Sequence, residues 1–568
     1  MSRTLTLLFL GVVALFFGAF LAWPVMQTVR GAFVSADGTW TLAYVAEVFR
    51  NPVYLEGLRN AFLLAVASTL VTMAVAIPLA WLSDRFEFPF KKTLLALLLV
   101  PMILPPFVGA IGMKHILGQY GALNALLWHL GLLGPGETID WLGGFEQGRF
   151  WGVVALNALH LYPILFLNVA AALANVDPSM EEAAENLGCT GWRKFRRVTL
   201  PLVMPGVFAG GAIVFIWAFT ELGVPLMFDY TRVTPVQIFT GLKELSGNPF
   251  PYALVVVTLV LAFVFYLLGK WGFGRGSYAM LPKATTAGAA RRLGWSAAGL
   301  GCSALFAGVI ALAMLPHAGV VLVSFARDWY QSVLPLQWTL EHYREALGHD
   351  LTVPAILNSV KYAGLATGVD LILGIGIGYL IVRTKLPGRS LLDGLAMLPL
   401  AVPGLVLAFG YLAMTQEGNA FAFLNPVVDP LPILVIAYAM RRLPYVVRAV
   451  VAGLSQTSEA LEEAARNLGA TPLRALRRVT LPLIAANLLA GGLLAFSFAM
   501  LEVSDSLILA VRREDFPITK AIFELFQLLG DGRSIAAALG VWAMLFLGIT
   551  LFGASRILGK KMGALFRM

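Results

Sequence analysis

The sequence is poor in charge and in cysteine. Charged residues make up 13% of its 568 residues, whereas a soluble globular protein carries roughly 25%. Cys189 and Cys302 are its two cysteines, which supports neither a disulfide framework nor a thiol metal site. The histidines show no His-x3-His or similar ligand spacing, so we expect no metal site among the six: His115, His129, His160, His317, His342 and His349.

Several catalytic motifs are also missing. The sequence contains no Gly-x-x-x-x-Gly-Lys-Ser/Thr phosphate loop, so any ATP hydrolysis must come from a partner. Neither His-Glu-x-x-His nor Gly-x-Ser-x-Gly occurs, which argues against an intramembrane enzyme of the metalloprotease or serine-hydrolase kind. We therefore expect that this chain is not itself an enzyme.

Long apolar runs dominate what is present. Hydrophobic residues form 59% of the chain and its mean hydropathy is +0.80, and a membrane span needs about 20 mostly apolar residues. The first run is too long for the apolar region of a signal peptide, so we expect an uncleaved helix there. The sequence predicts an all-α integral membrane protein with about 12 transmembrane helices: Leu5–Val29, Asn60–Leu82, Thr93–Met113, Gly152–Ala172, Val203–Met227, Ala253–Trp271, Ala297–Val323, Ile356–Val382, Leu391–Met414, Leu431–Val450, Ile484–Leu509 and Ala536–Gly553.

Lysine and arginine are unevenly placed between these spans. If the N-terminus is cytoplasmic, more than half of the 41 Lys and Arg residues fall in cytoplasmic segments, as the positive-inside rule requires. We therefore predict a multi-pass protein in contact with membrane lipid, with both termini in the cytoplasm. The basic residues lie in short loops rather than on one soluble face, so we expect no nucleic-acid partner.

One polar loop motif occurs twice. Each copy contains Glu-Ala-Ala, three residues, Gly, nine residues, and then Val-Thr-Leu-Pro. The two glycines, Gly188 and Gly469, are 281 residues apart (469 − 188). A single capped, amphipathic loop could be an ordinary connection between spans, but two copies with the same spacing indicate a shared function. The motif residues are Glu182, Ala183, Ala184, Gly188, Leu200 and Pro201, and Glu463, Ala464, Ala465, Gly469, Leu481 and Pro482.

The repetition extends beyond the loops. Trp40-Thr41-Leu42 and Trp338-Thr339-Leu340 precede the second and eighth spans, 298 residues apart (338 − 40). Six spans per copy is an even number, so we predict parallel repeats related by an axis along the membrane normal. The predicted organisation is a first repeat at 1–271, a cytoplasmic linker at 272–294 and a second repeat at 295–568.

The residues of each loop predict two short helices. Asp177 and Ser458 are suited to cap the first helix, and Gly188 and Gly469 to end it in a left-handed conformation. Thr190 and Thr471 can cap a second helix, with Pro472 in its first turn. In the first copy this helix carries its apolar stripe on one face, at Trp192, Phe195 and Val198. We expect the second helix to end at Pro201 in one copy and at Pro482 in the other.

At these residues the sequence resembles the permease subunits of ABC importers, whose signature is Glu-Ala-Ala, three residues, Gly, nine residues, an aliphatic residue, any residue and Leu-Pro. Both copies fit it, and the resemblance covers the chain as a fused pair of six-helix permease units. We name residues 177–201 and 458–482 the first and second coupling loops. The resemblance implies that each loop docks in a cytoplasmic ATPase subunit.

Further expectations follow from the same resemblance. With both loops intact, the implied motor is two copies of one ATPase, which would bind ATP and Mg, so this chain needs no cofactor of its own. A periplasmic or lipid-anchored binding protein would deliver substrate from outside, at outer loops spanning Gly31–Arg59, His115–Arg149 and Phe325–Pro354. The implied location is a bacterial inner (plasma) membrane.

Ionisable residues inside the spans are candidates for a translocation path. Glu221 and Glu502 are 281 residues apart (502 − 221) and fall in the fifth and eleventh spans, with Asp505 one helical turn after Glu502. They either face a central path or satisfy backbone and hydroxyl partners. Arg441 and Arg442 interrupt the tenth span. One of them is expected to pair with a carboxylate, for which we select Glu502, and the alternative is a contact to an anionic substrate group.

Two proline-rich stretches, at 101–106 and 399–403, are expected to break the third and ninth helices. The single-chain format of twice six helices and Leu443-Pro444-Tyr445 resemble the ferric-iron group of these permeases, so ferric iron is the expected substrate. Thiamine, 2-aminoethylphosphonate and polyamines are carried by relatives of similar build. An ion-coupled secondary transporter is an alternative from another class, although it has no use for two docking loops.

Overall fold

A computed structural model describes residues 3–35, 37–134, 136–142, 146–242, 248–273 and 291–558. Helices form nearly all of the regular structure, so the predicted all-α class is confirmed. In the first half the helices are α1 Arg3–Phe17, α2 Trp23–Phe33, α3 Ala43–Arg50, α4 Pro52–Arg85, α5 Lys91–Leu97, α6 Val100–Ile103, α7 Pro106–Leu117, α8 Ala122–His129, α9 Glu146–Ala174, α10 Pro178–Asn186, α11 Gly191–Lys194, α12 Leu200–Thr220, α13 Gly223–Met227, α14 Thr234–Gly241 and α15 Phe250–Phe273.

The second half follows the same plan. Its helices are α16 Ala297–Phe325, α17 Glu341–Gly348, α18 Thr352–Arg383, α19 Arg389–Ala401, α20 Gly404–Met414, α21 Leu431–Ser455, α22 Ala460–Asn467, α23 Pro472–Ala475, α24 Leu481–Leu483, α25 Ala485–Met500, α26 Ser504–Leu509, α27 Ile518–Gln527 and α28 Gly532–Leu558. The strands are β1 Phe86–Glu87, β2 Arg291–Arg292, β3 Ala326–Asp328 and β4 Gln337–Trp338. β1 pairs with β2 in parallel, and β3 pairs with β4 in antiparallel orientation.

Eight helices in the described part of the chain are long and apolar enough to cross a membrane, and the number rises to 11 if each of three bent pairs is one span. α21 covers the tenth predicted span but carries three arginines, so it is not among those 11. With α21 included, the helices account for the twelve predicted spans. The prediction of about 12 transmembrane helices is confirmed.

Both proline-rich stretches break a helix as predicted. The segments Lys91–Met102 and Pro106–His129 meet at 94°, and so do α19 and α20. The break after α19 occurs at Val402 and Pro403, which are extended, and α20 starts at once behind the proline. Proline lacks the N–H that a continuous helix would use and tolerates the first helical turn, which explains why each new helix begins there.

Among the described residues, one compact unit comprises those within 3–54, 237–259 and 340–558. Within it α18 crosses α21 closely: a Cβ added to Gly374 would lie 2.7 Å from the Val446 side chain. Small residues at such crossings allow two helices to approach within a membrane. The first span also belongs to this unit, because the Tyr411 hydroxyl in α20 donates to the carbonyl of Phe20 at 2.8 Å.

The second compact unit comprises residues 55–236 and 260–339, with 566–568 outside the described residues. Here the seventh span, α16, packs against α7, and a Cβ on Gly319 would lie 2.9 Å from the Cα of Gly112. Parallel pairing of β1 and β2 ties the end of α4 to the residues before α16. Each unit therefore contains the first span of the other sequence half. The repeat boundaries stay a prediction from the sequence. Most of the predicted linker lies outside the described residues.

Candidate functional site: two coupling loops and a buried charge cluster

The first helix of each coupling loop is closed at both ends by its own residues. The Asp177 carboxylate accepts the backbone N–H of Ser179 at 2.9 Å, and this hydrogen bond holds the pKa of Asp177 below its ordinary value. At the other end Gly188 has φ +79°. Its N–H donates to the Glu185 carbonyl at 2.8 Å, and the next N–H donates to the Ala184 carbonyl at 2.9 Å. These two bonds form a Schellman motif.

The second coupling loop has the same closure. The N–H of Ala460 donates to the Ser458 hydroxyl at 3.3 Å. Gly469 has φ +87°, its N–H donates to the Arg466 carbonyl at 3.0 Å, and the following N–H donates to the Ala465 carbonyl at 3.0 Å. The predicted caps and left-handed glycines are therefore confirmed in both copies. Both glycines have open space around the position of a Cβ, so conformation rather than crowding requires glycine.

The start of the second helix differs slightly between the loops. The Thr471 hydroxyl accepts the N–H of Arg474 at 3.3 Å, and Pro472 lies in the first turn, as predicted. Thr190 occupies the corresponding cap position, but its hydroxyl makes no capping hydrogen bond within the described part of the chain. The first copy therefore starts this helix without a side-chain cap.

The prediction that the second helix ends at Pro201 or Pro482 is wrong. A π-turn, Phe195–Thr199 in the first loop and Leu476–Thr480 in the second, carries the helix past the proline. In a π-turn the N–H bonds to the carbonyl five residues earlier, so the hydrogen-bond register changes just before the proline. The proline then lies in the first turn of a new α-helical segment, where its missing N–H is tolerated. In the first copy that segment is α12, and in the second α24 bends by 78° into α25.

The outward surface of each loop is apolar at its tip. Leu187 is 87% exposed and its counterpart Leu468 is 89% exposed. The predicted motif residues around them differ in burial. Ala184 and Ala465 are half-buried. The remaining Glu, Ala and Gly residues of the motif are exposed: Glu182, Ala183, Gly188, Glu463, Ala464 and Gly469. The two loops therefore share the same exposed leucine beside the same exposed motif residues.

The predicted apolar stripe of the second helix is only partly covered. Trp192 is exposed and stacks on Phe195 at 5.2 Å between ring centroids, and Phe195 in turn meets Trp81 edge-on. In the second loop a cavity of about 280 Å³ lies beside the tip, lined by Leu468, Arg474 and neighbouring residues. In the second loop Val479 of the stripe and the exposed Leu468 line the same cavity.

Sequence reasoning missed two buried carboxylates at the base of these loops. Glu181 and Glu462 precede the Glu of each Glu-Ala-Ala, and they are buried, whereas Glu182 and Glu463 are exposed. Each accepts a hydrogen bond from the threonine of the adjacent π-turn. Glu181 accepts from Thr199, and Glu462 accepts from Thr480. A signal was available, because both the glutamates and the threonines recur at the same 281-residue spacing as the motif.

The second half contains a buried charge cluster. Glu502 is 5% exposed; Arg441 Nη1 lies 2.5 Å from its Oε1, and Arg442 Nη2 contacts its Oε2. Arg442 also lies 5.7 Å from the ring centroid of Phe498. The predicted pairing of an arginine with Glu502 is confirmed, and both arginines take part. Because both guanidinium groups are engaged, the structure lends no support to the alternative of a free anion-binding site.

The structure corrects the position of both glutamates relative to the helices. Glu221 and Glu502 do not lie within continuous spans but at breaks, the first between α12 and α13 and the second between α25 and α26. Glu221 accepts the backbone N–H groups of Gly223 and Val224 at 3.0 and 3.3 Å and the Trp217 indole N–H at 2.9 Å. Glu221 therefore has backbone partners, as expected from the interpretation in which these glutamates satisfy backbone and hydroxyl partners.

The position of Arg441 in the second half is held by a histidine in the first half. His160 corresponds to Arg441, and its Nδ1 lies 3.0 Å from the Pro101 carbonyl at the helix break. Arg441 likewise reaches the helix break of its own unit, where its guanidinium fills the space that a Cβ on Gly404 would need. In each unit this position contacts the broken helix. The role of Glu221, Glu502, Arg441 and Arg442 in a translocation path stays a prediction.

Replacing Glu221 with alanine is expected to destabilise the protein by about 1 kcal/mol, because α13 loses the carboxylate that accepts its first N–H groups. Thermal unfolding of the purified chain in detergent measures this. Glu221→Gln, which keeps an acceptor oxygen, is the matched control and is expected to remain closer to the parent. A drop of several kcal/mol for both variants would show that the charge, rather than the cap, holds this break.

Comparison with known proteins covers most of the chain. The family described as "Binding-protein-dependent transport system inner membrane component" matches residues 58–272 and 371–563. The chain is 26% identical over 475 residues to the "Putative ferric transport system permease protein FbpB 1" of Haemophilus influenzae, covering 82% of this chain and 70% of that protein. It is 26% identical to the "Ferric transport system permease protein FbpB" of Actinobacillus pleuropneumoniae, covering 81% and 64%. A shorter match of 28% identity to the "Molybdenum transport system permease protein ModB" of Escherichia coli covers 36% and 86%.

Proposed function

Because this chain belongs to the family of binding-protein-dependent transport system inner membrane components, we propose that it is the membrane-spanning subunit of an ATP-driven importer. The observation that carries the proposal is the pair of coupling loops. Both have the same helix closure, the same left-handed glycine and the same exposed leucine, so they offer two equivalent docking surfaces. A partner that docks twice can act on both sequence halves in the same way.

The proposed partner is a cytoplasmic ATPase present in two identical copies, which binds the ATP and Mg. Two equivalent surfaces favour identical copies over two different subunits. Both loops then face the cytoplasm, and the even number of spans puts both termini there too. A substrate-binding protein is proposed on the opposite side, at the outer loops Gly31–Arg59, His115–Arg149 and Phe325–Pro354.

The proposed substrate is ferric iron. Two relatives that match more than four-fifths of this chain are named as ferric transport permeases. Other relatives with shorter matches are named for molybdenum and for spermidine and putrescine, so an oxyanion or a polyamine is the alternative cargo of the same importer class, alongside thiamine and 2-aminoethylphosphonate. An ion-coupled secondary transporter lacks support, because Glu502 is fully engaged by two arginines.

Purification of the chain from detergent-solubilised membranes tests the proposal directly. We expect two ATPase copies with a phosphate-loop motif to purify with each chain, as counted by native mass spectrometry. The variant Leu187→Asp/Leu468→Asp should lose both copies, since it places a charge at the centre of each docking surface. As the matched control, Leu529→Asp changes a leucine that is 98% exposed outside the coupling loops and should retain them. A chain that purifies alone and uses an ion gradient to drive the transport of a solute would instead be a secondary transporter.

A further inference from the structure

We propose that Glu181 and Glu462 are positioning residues that fasten each coupling helix to the two membrane helices beside it. A displacement of α10 or α22 then moves both neighbouring helices together. The inference rests on the proposed function, because a docked ATPase has to supply the displacement. Neither glutamate belongs to the surface that the ATPase would touch.

In the first loop the carboxylate links three elements. Glu181 is 3% exposed. Its Oε1 contacts Nη2 of Arg85, the last residue of α4, and accepts the Thr199 hydroxyl at 2.5 Å. Thr199 ends the π-turn that leads into α12. One carboxylate thus joins the coupling helix to the second span on one side and to the fifth span on the other.

In the second loop the same three elements are linked through different chemistry. Glu462 is 7% exposed. The Tyr379 hydroxyl of α18 donates to its Oε1, and the Thr480 hydroxyl donates to its Oε2 at 3.2 Å. The residue that corresponds to Arg85 is Arg383 (383 − 85 = 298), which instead donates to the Thr457 carbonyl at 2.7 Å. The carboxylate is common to both loops, while the partner on the preceding span is a cation in one and a hydroxyl in the other.

Two physical arguments make these contacts more than incidental. Burying a carboxylate is unfavourable unless it is paired and hydrogen-bonded, and exposed glutamates immediately follow both residues, so exposure was available at the next position. A helix of eight or nine residues is also unstable alone. α10 and α22 have that length, so their orientation depends on contacts such as these.

The difference in partners predicts a different tolerance to glutamine. At position 462 both partners are hydroxyl groups, which can donate to the amide oxygen or accept from the amide N–H. At position 181 one partner is a guanidinium. Both donors reach the same Oε1, and an amide oxygen can take its place, but glutamine lacks the negative charge that makes the bond to Arg85 roughly twice as strong as a neutral one. Glu462→Gln should therefore keep the link, whereas Glu181→Gln should weaken it and Glu462→Leu should break it. A residue that only fills space would not show this asymmetry.

The experiment uses the full chain, purified with its ATPase and reconstituted in liposomes. Ferric citrate is the first cargo probe, and molybdate and spermidine are the next, each with its binding protein. For Glu181→Gln and Glu462→Leu we expect cargo moved per ATP to fall at least roughly tenfold, while bound ATPase copies and the hydrolysis rate stay unchanged. Glu462→Gln should match the parent, as should the control Glu417→Gln, which changes an exposed glutamate outside both coupling loops.

A second readout follows the helix itself. Cys189 lies directly after Gly188, so its alkylation should be faster in Glu181→Gln than in the parent, while Cys302 in α16 reports general unfolding. If Cys302 also becomes reactive, Glu181→Gln has unfolded the protein. The same measurements are then made on Thr199→Val, which removes a single hydrogen bond. A normal ratio of cargo to ATP in Glu181→Gln, or in Thr199→Val under that condition, overturns the inference. Failure of the proposed function would look different, because the parent chain itself would bind no ATPase.

Discussion

The double variant Gly188→Val/Gly469→Val is expected to insert normally and to lose ATP-driven uptake. Both glycines have positive φ, +79° and +87°, and a left-handed conformation costs a residue with a side chain roughly 1–2 kcal/mol. A β-branched residue is the least tolerant of it. The two loops together lose about 2–4 kcal/mol, which corresponds to roughly a 30-fold or larger drop in correctly docked complexes.

The measurement combines uptake, ATP hydrolysis and the number of bound ATPase copies. Because the position of a Cβ is open at both glycines, the loss would come from the loop conformation and not from a clash in the core. Gly294→Val/Gly388→Val is the matched control, since these glycines also have positive φ and open space, +56° and +89°, but lie outside the coupling loops. Normal uptake in the coupling-loop variant would contradict the docking proposal, and equal losses in both variants would point to folding.

The second large effect is expected at Glu502. Replacing it with glutamine removes the carboxylate that pairs with Arg442 and leaves Arg441 with Asp505 at 3.8 Å. Breaking a buried ion pair in this way costs about 3–5 kcal/mol. We expect a clearly lowered unfolding temperature and poor recovery from membranes. Glu221→Gln in the first half is the matched control, because Glu221 accepts the backbone N–H groups of Gly223 and Val224 and the amide oxygen of glutamine can still accept them.

The first half suggests a compensating variant. It has His160 and Leu161 where the second half has Arg441 and Arg442. Arg441 Nη1 also lies 3.8 Å from the buried Asp505. The combined variant Arg441→His/Arg442→Leu/Glu502→Gln/Asp505→Asn therefore removes the charges of these ion pairs at once, which is often close to neutral for stability. We expect it to unfold near the parent temperature. A combined variant as unstable as Glu502→Gln alone would contradict this account, while a stable but inactive one would assign the cluster to the translocation path.

Local sequence predicted the local structure of the site. The caps at Asp177, Ser458 and Thr471 and the left-handed conformations of Gly188 and Gly469 depend on residues within a few positions of each other. The pairing of Glu502 with arginine was also predictable, because charges inside a membrane need partners and few are available. The proline-induced breaks followed from the missing N–H.

The rest depends on contacts between distant residues. The helix runs past Pro201 because a π-turn changes the hydrogen-bond register, and no pattern in the sequence distinguishes that turn from an ordinary helix end. Glu181 and Glu182 are chemically identical neighbours, and the buried one is the one that contacts residues of other elements, among them Arg85, 96 residues earlier in the chain. The exchange of first spans between the units likewise comes from long-range packing.

That exchange has a consequence for biosynthesis and ancestry. Phe20 leaves the ribosome early, yet the tyrosine that binds its carbonyl follows 391 residues later. The first span must wait in the bilayer, without this final neighbour, until residue 411 of 568 has been synthesised. A polypeptide containing only one repeat would have no neighbour for its own first helix, unless a second polypeptide supplied one. A single-repeat ancestor of this architecture would therefore have been an obligate dimer, and gene fusion would have made permanent an association that already existed.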